Sequence, residues 1–117
     1  TYVSWAQANR SAMVRVPLYK PGKEAATRIE LRSPDANANP YLAYTLLIYA
    51  GLDGIERSLT APQSADFNFF TADEKQLSGY KKLPVSFAEA AQAAKNSAFV
   101  KAHIPPQIIK EFISCGR

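Results

Sequence analysis

Residues Thr27 to Gly51 read TRIELRSPDANANPYLAYTLLIYAG, and within this stretch the hydrophobic period changes from that of a strand to that of a helix. From Thr27 to Ser33 apolar and charged side chains alternate. Ile29 and Leu31 share one parity and Arg28, Glu30 and Arg32 the other, the period-two pattern of a half-buried strand. Asn39-Pro40 then predicts a helix start. The Asn side chain can accept from an orphaned N–H, and Pro at the first helical position has no N–H to leave unpaired. The helix is expected over about 40–50, with Gly51 as its stop. It is apolar on nearly every side (Leu42, Leu46, Leu47 and Ile48, with Tyr41, Tyr44 and Tyr49), which predicts burial in a larger body than these residues supply. The three tyrosines read as core packing rather than as a stacking platform.

Upstream of this stretch, Asn9 to Pro17 places Val14 and Val16 on one parity and Met13 and Arg15 on the other, a second predicted strand. Lys20-Pro21-Gly22-Lys23 punctuates the pattern as a loop, so the two segments read as short, neighbouring antiparallel strands within about 9–33. Downstream, about 58–84 reads as an irregular segment. Its clustered Phe67, Phe69 and Phe70 are too apolar for a solvated linker, so it is expected to pack against something. Ser86-Phe87-Ala88-Glu89 has the form of a capping box and opens a helix running to about Lys95. A short helical piece follows from Ser97. After Pro105-Pro106, Ile108, Ile109, Phe112 and Ile113 share one face of a last helix, followed by a tail Cys115-Gly116-Arg117. Strands first and helices after give an α+β class, with helices over about 86–113 and the whole forming one side of a larger domain.

Length and composition agree with one small globular domain: 117 residues, 47% hydrophobic and 21% charged. The densest apolar run, Tyr41 to Ala50, is short of the roughly 20 residues that a membrane span needs. The start at Thr1 rather than Met suits a processed chain or an excised piece. A single cysteine, Cys115, has no internal partner and fits a reducing, cytoplasmic setting. The formal charge of +4 invites an anionic partner. Nucleic acid is disfavoured, because the basic residues are dispersed and no basic helix with interleaved aromatics occurs. His103, alone near a helix end, reads as structural or solvated.

The chemistry concentrates in four arginines, Arg10, Arg15, Arg28 and Arg32, together with Glu30. On the Arg28–Arg32 strand, parity predicts Glu30 between two guanidiniums on one face. Arg matches phosphate and carboxylate through paired parallel donors, and Glu offers the hard oxygen that Mg2+ or Mn2+ takes. A solvent-facing strand with self-neutralising charges would look the same. Arg10 and Arg15 lie on opposite parities unless a bend intervenes. Together the five residues form a candidate anion site.

Five blocks carry a resemblance: Asn9-Arg10-Ser11-Ala12, Arg15-Val16-Pro17, Arg28-Ile29-Glu30-Leu31-Arg32-Ser33-Pro34-Asp35, Ala38-Asn39-Pro40-Tyr41-Leu42-Ala43 and Ala50-Gly51-Leu52-Asp53-Gly54-Ile55. In this order they resemble the C-terminal part of the catalytic domain of type I glutamine synthetases. The likeness is specific over residues 1 to about 57 and looser through Leu83-Pro84 and Phe87 to Ala94. It implies ATP-dependent joining of ammonia to the side-chain carboxylate of glutamate through γ-glutamyl phosphate. By the same resemblance Arg10 is catalytic and sits at the transferred phosphoryl group. Arg10, Arg15 and Arg28 would bind ATP phosphates, Glu30 the divalent metal (Mg2+ or Mn2+), and Arg32 the glutamate substrate.

The resemblance further implies a missing upstream part of the same protein, which would hold the other metal ligands, the ammonium site and much of the glutamate site, and a ring-shaped homo-oligomeric parent. The chain alone is expected to be inactive. Asn68-Phe69-Phe70 falls where some bacterial relatives have a tyrosine that accepts a nucleotidyl group, and Phe70 has no hydroxyl to modify; Tyr80 lies nearby. Two alternatives accompany the ligase reading. One is a relative using another amine, and the other is a non-catalytic module binding anions, nucleotides or a partner through the same arginines.

Overall fold

The computed structural model describes residues Thr1 to Cys115, which form two compact units. The first unit comprises residues 1–35 and 61–83, and the second, among the described residues, 36–60 and 84–115. Among the described residues there are three short strands and five α-helices, the α+β class expected from the sequence.

In the first unit, β1 (Trp5–Gln7), β2 (Val14–Val16) and β3 (Glu30–Leu31) form a sheet in the order β1-β2-β3. β2 and β3 are antiparallel, as predicted, and their register puts Arg15 opposite Glu30. β1 was not foreseen. It lies parallel to β2, with Trp5 opposite Val14. A parallel pair ordinarily needs a long crossover. Here each strand is so short that the return path is about 10 Å at ~3.3 Å per residue, which the loop 8–13 can cover. The loop turns at Ala8, whose φ of 57° lies in the left-handed region. Three residues of Trp-Ala-Gln carry no alternation signal, and the strand exists because its partners hold it: the Ala65 N–H donates to the Trp5 carbonyl at 2.9 Å and the Val14 N–H to the Ser4 carbonyl at 2.9 Å.

The core of this unit is Ala6, Ala12, Ala65 and Phe69, flanked by Tyr2, Phe67, Leu77 and Tyr80. The aromatic cluster expected to pack therefore does so for Phe67 and Phe69, whose rings lie 4.7 Å apart with Tyr80 edge-on to both. Phe70 instead points outward, 85% exposed. The segment 58–84 is not wholly irregular. It contains α2 (Glu74–Leu77), started by a complete capping box in which Asp73 and Gln76 satisfy each other's backbone N–H.

In the second unit, α1 (Pro40–Glu56) starts where predicted, with the Asn39 side chain accepting from the N–H groups of Tyr41 and Leu42. It does not stop at Gly51. A helical glycine costs only about 1 kcal/mol against Ala, and the apolar spacing resumes at Leu52 and Ile55. The end comes at Ser58, φ 49°, where the Leu59 N–H reaches the Gly54 carbonyl and the Ser58 N–H the Ile55 carbonyl. That is the Schellman closure, made here without glycine. The predicted burial of this helix is absent within the described residues: none of its side chains is buried, Tyr41 and Tyr44 are exposed, and Tyr49 stacks on His103 at 4.0 Å.

The remaining elements are α3 (Phe87–Asn96), α4 (Ala98–His103) and α5 (Pro106–Cys115). Ser86 and Ser97 cap α3 and α4 by accepting from Glu89 and Val100 N–H groups. The Glu89 carboxylate accepts from Val85 rather than from Ser86, so the predicted box is only half made. Cys115 closes α5 instead of opening a tail, and the predicted tail residues Gly116 and Arg117 lie outside the described residues.

Candidate functional site

Asn9 organises the site. Its amide donates to the carbonyls of Ala65 and Phe67 at 2.9 and 2.8 Å, while its Oδ1 accepts from the Ser11 N–H and hydroxyl at 2.9 and 2.8 Å. Ser11 Oγ in turn accepts from the Phe69 N–H at 3.1 Å. Every polar atom of the Asn9 side chain is thus engaged in fixing the 65–69 loop against the turn that carries Arg10. Sequence reading singled out the Asn9-Arg10-Ser11-Ala12 block but assigned no role to Asn9 or Ser11. The signal available was the pair of short polar side chains flanking an arginine, which favours local turn bonding.

Arg10, exposed on that turn, makes no hydrogen bond or ion pair with another described residue. It lines an open cleft of about 440 Å3 together with Asn9, Ser11, Arg32, Asn68 and Phe70. The bend at Ala8–Ser11 removes the parity argument for Arg10. Phe70 forms an apolar wall there and offers no hydroxyl, while Tyr80 packs into the unit's core.

Arg32 joins this cleft to an ion-pair network on the sheet. Its Nη1 donates to Glu30 Oε1 at 2.5 Å, and Arg15 Nη1 donates to Oε2 at 2.8 Å. The guanidiniums beside Glu30 are therefore Arg15 and Arg32, not Arg28 and Arg32 as strand parity predicted. β3 begins only at Glu30, so the alternation does not extend back to Arg28. That side chain is exposed and donates to the Ala26 carbonyl at 3.0 Å, at the end of a single 3-10 turn (Glu24–Ala26). Hydrogen bonds from Arg15 first and Arg32 second hold the Glu30 carboxyl below the usual carboxylate range. Arg15 Nε is buried with no hydrogen-bond partner. Two guanidiniums share one carboxylate here, with the unpaired Arg10 lining the same cleft as Arg32, and the surplus positive charge suits an anion.

The same geometry tests the predicted metal. Glu30 brings one carboxylate, each oxygen of which already accepts from a guanidinium. No group of three His, Cys, Asp or Glu side chains converges among the described residues. Mg2+ and Mn2+ take about six hard ligands. The described residues alone do not fit such an ion.

A family model described as the glutamine synthetase catalytic domain matches residues 1–117. The chain belongs to the glutamine synthetase family. It is 39% identical over 115 residues to the glutamine synthetase of Mycolicibacterium smegmatis, and equally to that of Mycobacterium tuberculosis, covering 97% of this chain and 26% of each relative. With the glutamine synthetase of Methanococcus maripaludis it shares 40% over 113 residues, 95% of this chain and 25% of that protein. The chain thus spans about a quarter of the length of these relatives. The Asn9–Arg10 turn and the Arg15–Glu30–Arg32 network bring Arg10, Arg15 and Arg32 into one region of the first unit, while Arg28 takes no part in the network.

Proposed function

We propose that the chain is part of a longer cytoplasmic enzyme that activates the side-chain carboxylate of glutamate with ATP and joins it to ammonia. In the first step the carboxylate attacks the terminal phosphorus of ATP, giving γ-glutamyl phosphate and ADP. In the second, ammonia attacks the acyl carbon, phosphate leaves and glutamine forms after loss of a proton. Phosphoryl transfer is catalysed mainly by positioning and by offsetting negative charge, which suits a cluster of arginines.

The observation that carries this reading is the Arg10–Arg32 cleft, backed by the Glu30 pairings in a chain of this family. Arg10 acts at the phosphoryl group being transferred. Arg15 and the exposed Arg28 bind nucleotide phosphates. Arg32 holds the glutamate carboxylate, and Glu30 fixes Arg15 and Arg32 in place. Glu30 contributes at most one oxygen to a divalent cation (Mg2+ or Mn2+) whose other ligands come from the rest of the polypeptide. The ammonium site and the ring-forming contacts of a homo-oligomer belong to the same remainder.

The test is phosphate release from ATP and glutamate by the full-length protein, with ammonia and with other amines, beside the 117-residue chain alone. Ammonia-dependent release by the full-length protein and none by the chain alone are expected. Preference for another amine would place it among relatives with a different acceptor. Silence with every amine, alongside nucleotide binding, would favour a non-catalytic anion-binding module.

A further inference from the structure

By the ligase reading Arg10 meets the phosphoryl group being transferred, yet no hydrogen bond or ion pair with a described residue holds its guanidinium. A head group that offsets charge in a transition state is effective when it is already in place, so whatever fixes Arg10 must act through the backbone that carries it. That backbone is a tight turn. Ala8 lies at a φ of 57°, and the Asn9 N–H donates across it to the Gln7 carbonyl at 2.6 Å. A three-residue turn of positive φ is a rare and strained form for an L-residue, and it persists only where its surroundings hold it.

The residues on either side of Arg10 supply that hold. Asn9 is tied to the Ala65 and Phe67 carbonyls, and Ala12, 2% exposed, is sunk in the core beyond. Between them the Ser11 hydroxyl bonds in both directions. It donates to Asn9 Oδ1 at 2.8 Å and accepts from the Phe69 N–H at 3.1 Å. The Phe69 ring is itself packed against Tyr2, Phe67 and Tyr80. With its one proton given to Asn9, the hydroxyl has none left for a substrate, although Ser11 lines the same cleft as Arg10. We propose that Ser11 is a positioning residue for the phosphoryl transfer: its hydroxyl locks the turn to the Phe69 backbone and so sets where the Arg10 guanidinium stands. This role rests on the ligase reading of Arg10 and adds to it a residue that acts through Arg10 rather than on the substrate.

Steady-state kinetics of the full-length protein with ATP, glutamate and ammonia test this in Ser11→Ala, Ser11→Thr, Arg10→Ala and the double variant R10A/S11A. Ser11→Ala leaves the Asn9 amide bonds in place and removes only the bridge to Phe69 and Asn9 that the hydroxyl makes. It is expected to lower kcat by about tenfold or more, with the KM values for ATP and glutamate changed by about twofold or less, because misplacement is felt in the transition state. Ser11→Thr, which keeps a hydroxyl, should recover most of the rate. The double variant should be no slower than Arg10→Ala alone, since residues that act as a unit are not additive. Where Ser11→Ala does not fold, Ser11→Cys keeps the bulk with a weak hydrogen-bonding group and should show the same loss of kcat. An unchanged kcat in these variants, a loss in Ser11→Thr equal to that in Ser11→Ala, or effects that multiply in the double variant would overturn the proposal and leave the role of Arg10 standing. Full activity in Arg10→Ala would instead remove the ligase reading of that residue, and the role of Ser11 with it.

Discussion

Glu30 accepts from Arg15 and Arg32 through different oxygens, and its side chain is 39% exposed. An exposed pair stabilises little, but a carboxylate held by two guanidiniums also fixes where those guanidiniums stand. Because the folded state depresses its pKa, the stabilisation from Glu30 is fully present above the ordinary glutamate value of about 4.3 and is lost as pH falls through the lower folded value. Glu30→Gln is therefore expected to lower stability at pH 7 and to flatten the acid limb of a plot of urea midpoint against pH. Equal acid sensitivity in both proteins would show that another carboxylate governs it. Asn9→Ala removes four hydrogen bonds around the cleft and is expected to cost about 2–3 kcal/mol by urea unfolding, because several backbone groups lose their partner at once. At this scale the sequence was a partial guide. It gave prominence to Glu30 and Arg32, whereas the identity of the second guanidinium depended on where β3 begins, which is set by pairing across the sheet rather than by local alternation.

Among the elements, α1 was the most legible start and the least legible end. Asn39-Pro40 acts locally, so its reading holds in the structure. Gly51 looks like a stop only if its neighbours are ignored, since the helix continues through Gly51 and Gly54, around which an added methyl would meet nothing within 4 Å. Gly51→Ala is expected to raise the stability of this chain by roughly 0.5–1 kcal/mol in denaturant unfolding. At Ser58 the left-handed backbone costs an L-residue about 1–2 kcal/mol that glycine avoids, so Ser58→Gly should stabilise by about 1 kcal/mol. A destabilising outcome there would mean that the serine side chain contributes more than the helix closure does. β1 escaped sequence reading for the opposite reason. Its definition comes from pairing with β2 and from bonds to residues far along the chain, such as the Trp5 indole N–H donating to the Pro62 carbonyl at 2.6 Å.

At the largest scale, each unit buries few hydrophobic side chains among the described residues: Ala6, Ala12, Ala65 and Phe69 in the first and Ile104 in the second. Along α1, Tyr41, Tyr44, Ile48, Leu52 and Ile55 remain exposed. Their spacing keeps them near one face, an apolar stripe larger than scattered surface side chains. The chain alone is expected to associate with rising concentration, and the double variant I48E/I55E should increase the monomer fraction in light-scattering chromatography without loss of helix signal. The composition of α1 predicted burial in something larger, whereas among the described residues its stripe is exposed.

The proposed role of the Arg10–Arg32 cleft is anion recognition in a ligase site. Its most direct test is ammonia-dependent phosphate release by the full-length protein carrying Arg10→Ala, Arg32→Ala or, as a surface control, Lys75→Ala. A fall of about 10²-fold or more in kcat/KM is expected for each arginine variant, the scale of losing one positioned charge donor, with an unchanged rate for the lysine control. Full activity in both arginine variants would contradict it.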